Sequence, residues 1–259
     1  MLLAFDVGNR TVAAGLFQGD RLLLDFRLSS DAGLSAEEYA AAVLARLEGA
    51  GYGAVDVDAA AVASVVPAVS RAVCAGVSGN LHVEPYLIGT SSTYDIENRY
   101  NKPELLGVDR LVNASAAWRR LHKPCIVVDF GTATTVDAIA DGAFIGGAIL
   151  PGPKTAAGSL GRTALVGQVE LSPPSRAIGR DTAECVSSGV LFGLAAAVDS
   201  LVERFAGEMG LLPVVIATGG DAGLVVPFCE RVDEVIPTLT LEGVALVWAL
   251  NNPPKTLKK

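Results

Sequence analysis

Residues 3–22, LAFDVGNRTVAAGLFQGDRL, recur without a gap as residues 126–145, IVVDFGTATTVDAIADGAFI. The alignment sets Asp6 over Asp129, Gly8 over Gly131, Thr11 over Thr134 and Gly19 over Gly142. Each copy is an apolar run, an acidic turn rich in glycine and hydroxyls, and a second apolar run closed by another turn, which is the pattern of strand, tight turn and strand. A chain carrying this hairpin once in each half is expected to fold as a duplicated domain. Its halves are expected to face each other, each offering an aspartate and backbone N–H groups to one ligand. A nucleoside triphosphate with its metal ion suits that pair. Glycine lets the backbone approach a phosphate, hydroxyls and amides donate to its oxygens, and an aspartate holds the neutralising cation. Either turn alone reads equally well as an ordinary hairpin, because Asp and Gly are common turn residues. The repeat in register tips the balance.

The remaining pattern alternates between strand and helix. A third strand is expected over 21–27, and Ser35 with Glu38 forms a capping box that opens a helix reaching about Glu48. Residues 59–66 read as a buried strand, followed by Pro67 at the first turn of a helix to about Val77 and a strand over 83–88. The polar stretch 90–108 shows no period and reads as a long loop, a length that in compact domains is commonly functional. A helix over 109–121 then leads into strands near 125–130, 135–140 and 144–149. A helix from Asp181 to about Gly207, a strand over 213–218, a short helix, a strand over 233–236 and a helix over 240–251 complete the chain. Both halves approximate β-β-β-α-β-α-β-α, which predicts an α/β fold of two mixed sheets with helices on their faces. The division is expected at residues 115–124, giving halves of 1–118 and 119–259.

Composition narrows the function. With 259 residues and 51% hydrophobic content the chain can bury full cores. A net charge of −8 disfavours a nucleic-acid surface, since neutralising phosphates takes clustered Lys and Arg. The apolar stretch around 190–198 is interrupted by Gly193 and is shorter than a membrane span, and the start MLLAFDVG lacks a basic region and cleavage site. A cytoplasmic protein without membrane partners is expected. Cys74, Cys125, Cys185 and Cys229 are scattered without a CxxC, so they are expected to be small buried hydrophobes rather than a zinc site or disulfide framework. Neither GxxxxGK[ST] nor a strand-to-helix GxGxxG is present, so the phosphates are expected to be cradled without a lysine.

The two turns resemble the phosphate loops of the actin, sugar-kinase and Hsp70 superfamily. Further motifs are PELLGVDR (103–110), VVDFGTATTVD (127–137), GGAILPG (146–152), IGRDT (178–182), ATGG (217–220) and PTLTLEG (237–243). In this order they resemble the type III pantothenate kinases over residues 1 to about 252. The resemblance implies two ribonuclease-H-like (actin-like ATPase) halves, each with a mixed five-stranded sheet. It also implies transfer of the γ-phosphoryl group of ATP to the primary hydroxyl of pantothenate, the first step of coenzyme A synthesis, with Mg²⁺ and a monovalent cation, K⁺ or NH₄⁺, in a homodimer.

Carried onto this sequence, the resemblance makes Asp109 the general base, a role that suits a loose phosphoryl-transfer transition state in which a carboxylate orients the attacking hydroxyl. Without the motif, Asp109 reads as a helix N-cap and Arg110 as a solvated helix residue. The family pattern instead gives Arg110 to the pantothenate carboxylate in a bidentate fork, with Tyr100, Gly107 and Val108 completing the pocket and Thr182 reaching it from a partner subunit. Asp6, Val7, Gly8, Asn9, Arg10, Thr11, Val12 and Ala13 form the first nucleotide turn, Thr132 belongs to the second, and Asp129 is the monovalent-cation ligand. Thr218, Gly219 and Gly220 are expected to line the adenosine side. The chain departs from the family in reading GNRT at the first turn, which sets Arg10 beside the phosphates, and in residues 153–171, where Gly161 and Gly167 loosen the usual helix. Residues 181–191 keep Thr182 and Gly189 but lack the family's methionine and glutamine. Another small-molecule kinase of the superfamily, or a catalytically silent nucleotide-binding regulator, are the alternative readings.

Overall fold

The structure is a computed structural model that describes residues 1–161, 167 and 169–253. The terminal KTLKK and most of the segment between Gly161 and Gly167 lie outside the described residues. The chain opens with β1 (Leu2–Val7), β2 (Thr11–Gln18), β3 (Arg21–Ser29), α1 (Ala36–Gly49), β4 (Ala59–Ser64), α2 (Pro67–Leu81) and β5 (Pro85–Leu87). The stretch 90–108 contains a two-residue strand, β6 (Glu97–Asn98), and a 3-10 turn over Pro103–Leu105 before α3 (Val108–Leu121). There follow β7 (Cys125–Phe130), β8 (Ala133–Ala140), β9 (Ala143–Pro151), α4 (Pro153–Leu160), α5 (Thr182–Met209), β10 (Val214–Thr218), α6 (Ala222–Val225), β11 (Glu234–Val235) and α7 (Leu239–Asn251).

Two compact units result, one of residues 1–96, 101–116 and Thr238 onward, the other of residues 97–100 and 117–237. In the first, the sheet runs β3-β2-β1-β4-β5, antiparallel through the opening meander and parallel from β1 to β4 and β5. Side chains alternate along β1. Leu3, Phe5 and Val7 pack under α1 and α2 with Tyr39, Val43, Val69 and Val73. Leu2 and Ala4 point the other way, onto Val112 of α3 and Leu241, Val244 and Val247 of α7. The expected capping box holds α1, with Ser35 Oγ accepting from Glu38 N at 3.2 Å and Glu38 returning to Ser35 N at 2.8 Å. These contacts put α7 in the first unit, so the compact units do not follow a single break after residue 118. A Cβ at Gly243 would stand 2.2 Å from the Val112 carbonyl, so that α7 seats on α3 only through glycine.

The second unit repeats the plan as β11-β10-β7-β8-β9, and β6 adds a sixth strand parallel to β9 where five were expected. Two backbone bonds make that edge, Glu97 N to Gly142 O at 2.8 Å and Arg99 N to Phe144 O at 3.0 Å. A polar dipeptide carries no periodicity, which is why the loop reading misses it. α5 covers one face, its Val186, Val190, Leu191, Leu194 and Val198 meeting Ile126, Val128, Val136 and Val215. At 28 residues, with an 18-residue window of mean hydropathy 1.8, α5 is long and apolar enough to cross a membrane, contrary to the expectation from the shorter 190–198 stretch. Its apolar stripe is spent on the core of this unit.

The duplication is not gapless. β1 and β7 start at Leu2 and Cys125, 123 apart, but β2 and β8 start at Thr11 and Ala133, 122 apart, as β3 and β9 do at Arg21 and Ala143. Strand pairing repeats with the shorter spacing: Thr11 faces Ser29 and Ala133 faces Pro151, and the same bulge falls at Leu16/Phe17 and at Ala138/Ile139. The first turn therefore holds one residue more than the second. Thr11 corresponds to Ala133 rather than Thr134, and Gly19 to Asp141, both in the left-handed region with φ of 59° and 51°. Sequence alignment absorbs the extra residue because the flanking strands are apolar in either register.

Two glycines of α2 should respond oppositely to alanine. At Gly76 a Cβ would stand 2.3 Å from the Ala36 carbonyl, whereas at exposed Gly79 it meets nothing within 4 Å. Gly76→Ala is expected to destabilise by about 1–3 kcal/mol through overpacking of α1 on α2. Gly79→Ala is expected to stabilise by up to about 1 kcal/mol through helix propensity. Urea unfolding of both variants checks this, and equal signs would refute it.

Candidate active site

The first turn is set by the β1–β2 register. Asp6 pairs with Ala13 and Val7 with Val12, leaving Gly8, Asn9 and Arg10 to span the loop. Gly8 N donates to Thr11 O at 3.0 Å, Ser30 N to Arg10 O at 3.1 Å and Val65 N to Val7 O at 3.1 Å. Val7 and Val12 are fully buried in the core, so only their backbone is available to a ligand. Asn9 and Arg10 are exposed, and Asp6, Gly8, Thr11 and Ala13 are half-buried. The Ser30 hydroxyl, beside the turn, is buried without a hydrogen-bond partner.

The second turn is more heavily built. Gly131 N donates to Ala133 O at 3.0 Å, and the Thr132 carbonyl accepts from Gly152 N at 3.1 Å and from Thr155 Oγ1 at 2.6 Å. A Cβ at Gly152 would lie 2.0 Å from the Gly131 carbonyl oxygen. The start of α4 is thus laid directly on the turn. Opposite it, Gly219 adopts φ of 97°, and a Cβ there would stand 2.4 Å from Asp129 Oδ1 and 2.6 Å from Phe130 N. Thr218 pairs with Asp129 on adjacent parallel strands, so their side chains share one face of the sheet. Its hydroxyl is fully buried and lacks a partner. Asp221 N donates to Phe130 O at 2.9 Å, and the buried Asp221 carboxylate binds Lys154 Nζ at 2.6 Å. Through Asp221, Lys154 is thus tied to Phe130, the residue before this turn. Lys154 and Asp221 escape sequence reasoning because they lie 22 and 89 positions beyond Thr132, and only strand pairing returns them to it.

The substrate motif sits where the chain enters α3. Gly107 O accepts from Arg110 N at 3.2 Å and from Leu111 N at 3.3 Å, while Asp109 Oδ1 accepts from Arg110 N at 2.9 Å. A Cβ on Gly107 would fall 2.4 Å from that oxygen, so glycine is what permits the carboxylate to occupy this position. Burial raises the Asp109 pKa, opposed by the Arg110 N–H bond and the Arg110 charge. Arg110 itself is 7% exposed, unlike the solvated helix arginine its position alone suggests.

Tyr100 belongs to the second unit, its N–H on Asn98 Oδ1 at 3.0 Å and its ring edge-on to Phe144 at 6.0 Å. Thr182 opens α5 behind the N-cap Asp181, whose carboxylate accepts from Glu184 N at 2.8 Å. It lines an apolar groove of about 790 Å³ together with Leu150, Val186, Val190 and Leu194. Among the cysteines, burial lifts the thiols of Cys125 and Cys229 to about 12, as expected of packed hydrophobes, but Cys185 is exposed on this groove. Among the described residues no group of three or more His, Cys, Asp or Glu side chains gathers to hold a metal.

Known proteins share these features. The family model for type III pantothenate kinase matches residues 2–204. A type III pantothenate kinase of Moorella thermoacetica is 38% identical over 253 residues, covering 97% of this chain and all of the relative. The type III pantothenate kinase 1 of Symbiobacterium thermophilum is 41% identical over 266 residues, covering 98% of each. In fold, the chain is similar to the (R)-2-hydroxyglutaryl-CoA dehydratase component A of Acidaminococcus fermentans, with a TM-score of 0.58 at 15% identity over 96% of this chain and 97% of that one. It is also similar to the ethanolamine utilization protein EutJ of Carboxydothermus hydrogenoformans, with a TM-score of 0.55 at 16% identity over 95% and 89%. The fold is that of the actin-like ATPases, and with near-complete coverage by its relatives the chain belongs to the type III pantothenate kinase family.

Proposed function

We propose that this chain phosphorylates the primary hydroxyl of pantothenate with ATP, the opening step of coenzyme A synthesis, with Asp109 as general base. The observation that carries the assignment of the base is the pairing of Gly107 with Asp109: the glycine makes room for a carboxylate that burial has made more basic. In the reaction Asp109 accepts the proton of the substrate hydroxyl, that oxygen bonds to the γ-phosphorus, and the bond to the β-bridging oxygen breaks to release ADP. Arg110 holds the pantothenate carboxylate, an assignment supported by the fixed fork of a guanidinium and by its placement next to the base. Gly107 and Val108 shape the same pocket, and Tyr100 is a further substrate-binding residue.

The acidic turns bind the nucleotide phosphates: Asp6 and the backbone of residues 7–13 form one phosphate-binding element, and Thr132 with its neighbours forms another. Mg²⁺, when bound, would supply positive charge that neutralises the phosphates, and Asp129 would provide an oxygen for K⁺ or NH₄⁺. The buried hydroxyls of Ser30 and Thr218 support this reading, since each lies at a turn with its hydrogen-bonding capacity unused. The enzyme works in the cytoplasm as a homodimer, with Thr182 completing the partner's substrate pocket. The groove beside Thr182 supports the dimer, being apolar and bordered by the exposed side chains of Leu160 and Ile178.

Three measurements test the proposal. Asp109→Asn is expected to lower kcat for ATP-dependent pantothenate phosphorylation by roughly 10²-fold or more with unfolding unchanged. No turnover by the native protein would favour a silent regulator. Because burial raises the Asp109 pKa, protonation removes the base at a pH above that of an ordinary aspartate, so kcat should begin to fall, on acidification, while ordinary carboxylates are still ionised. An acid limb in the ordinary carboxylate range would count against this base. At Gly193 of α5 a Cβ meets nothing within 4 Å and faces the groove, so Gly193→Glu should convert a dimer to a monomer in sedimentation velocity. A native monomer, or a variant that stays dimeric, would remove this interface.

A further inference from the structure

The Lys154–Asp221 pair has no part in the chemistry described so far. Asp221 is 5% exposed and its backbone N–H is tied to Phe130 O, the residue before Gly131 of the second turn. Lys154 occupies the first turn of α4, whose N-cap Gly152 and whose Thr155 both bond to the Thr132 carbonyl. The two strands of support around this turn, one from α4 and one from the β10–α6 connection, are joined by the 2.6 Å contact between Lys154 Nζ and Asp221 Oδ1. A lysine is badly placed at a helix N-terminus, where the backbone already presents positive potential. Neutralising Asp221 explains why the cation is tolerated. It does not explain why more than half of the Lys154 side chain remains open to solvent while the carboxylate is buried. On the same side of the turn, the buried Thr218 hydroxyl, one residue before Gly219 and register-paired with Asp129, has no hydrogen-bond partner.

We infer that Lys154, positioned by Asp221, is a phosphate-binding residue that delivers a positive charge and N–H donors to the nucleotide phosphates held at the Gly131–Thr132 turn. This inference rests on the kinase reading above. Beside the turn, the start of α4 carries a lysine whose ammonium is held by a buried carboxylate yet stays open to solvent, and an anion is the partner such a group accepts.

Isothermal titration of the full-length protein with Mg·ADP and with adenosine tests the inference. Lys154→Gln is expected to weaken ADP binding roughly tenfold or more and leave adenosine binding unchanged, the loss ascribed to a charge-assisted contact, whereas Lys154→Arg should stay within a few-fold of native. The double variant Lys154→Gln/Asp221→Asn separates the two roles of the lysine. It removes the buried charge that Lys154 neutralises, so thermal stability should return toward native while ADP binding stays weak. Native ADP affinity in either Gln variant, or an equal loss of ADP and adenosine binding, would overturn the inference by leaving Lys154 a purely structural counter-ion. Failure of the native protein to bind ADP would instead bring down the kinase reading, and this inference with it.

Discussion

Burial of the central strand of each unit on both faces is the constraint from which the rest follows. β1 and β7 lie in the middle of their sheets with helices above and below in the first unit and α5 on one face in the second, and along each of them the burial pattern is broken only at the aspartate. A charge is too costly anywhere earlier in such a strand. It becomes tolerable at the end, where the sheet gives way to a turn and the aspartate is only half-buried. The acidic turns are therefore the places where a two-faced core lets polar chemistry begin, and duplication produces two of them.

The same constraint explains how crowded the turns are. Each must be held by backbone contacts, since the strand ends cannot spread without opening the core. At the second turn this leaves no room for a Cβ at Gly152 or Gly219, which fixes the start of α4 and the β10–α6 connection to the turn by carbonyl and amide bonds. At the start of α3, Gly107 plays the corresponding part for a side chain by admitting the Asp109 carboxylate. Close approach through glycine is the shared device at all three places.

Much of this was legible in the chain. The period-two apolar runs of the opening hairpins, the Ser35/Glu38 capping box and Pro67 at a first helical turn all describe local preferences, and local preferences decide those elements. The motifs LGVDR and DFGTATT carried the family. What escaped were features whose cause is distant in sequence: the edge strand β6, which exists only because β9 offers it a ladder, the approach of Lys154 to Asp221, and the packing of α7 on β1 and β4. The extra residue in the first turn escaped for a different reason, because apolar strands on either side score alike when slid by one position.

The sequence by itself determined the elements, the doubling of the hairpin, the acidic residue types at the strand ends and the family. These follow from periodicity, capping and motif order, which act over a few residues at a time. Tertiary structure alone decided which residues crowd each turn, that Arg110 is buried, that burial makes Asp109 more basic, and that Lys154 pairs with Asp221 near the second turn. Burial and approach are properties of packed surfaces, and no single stretch of chain contains both of the surfaces that meet.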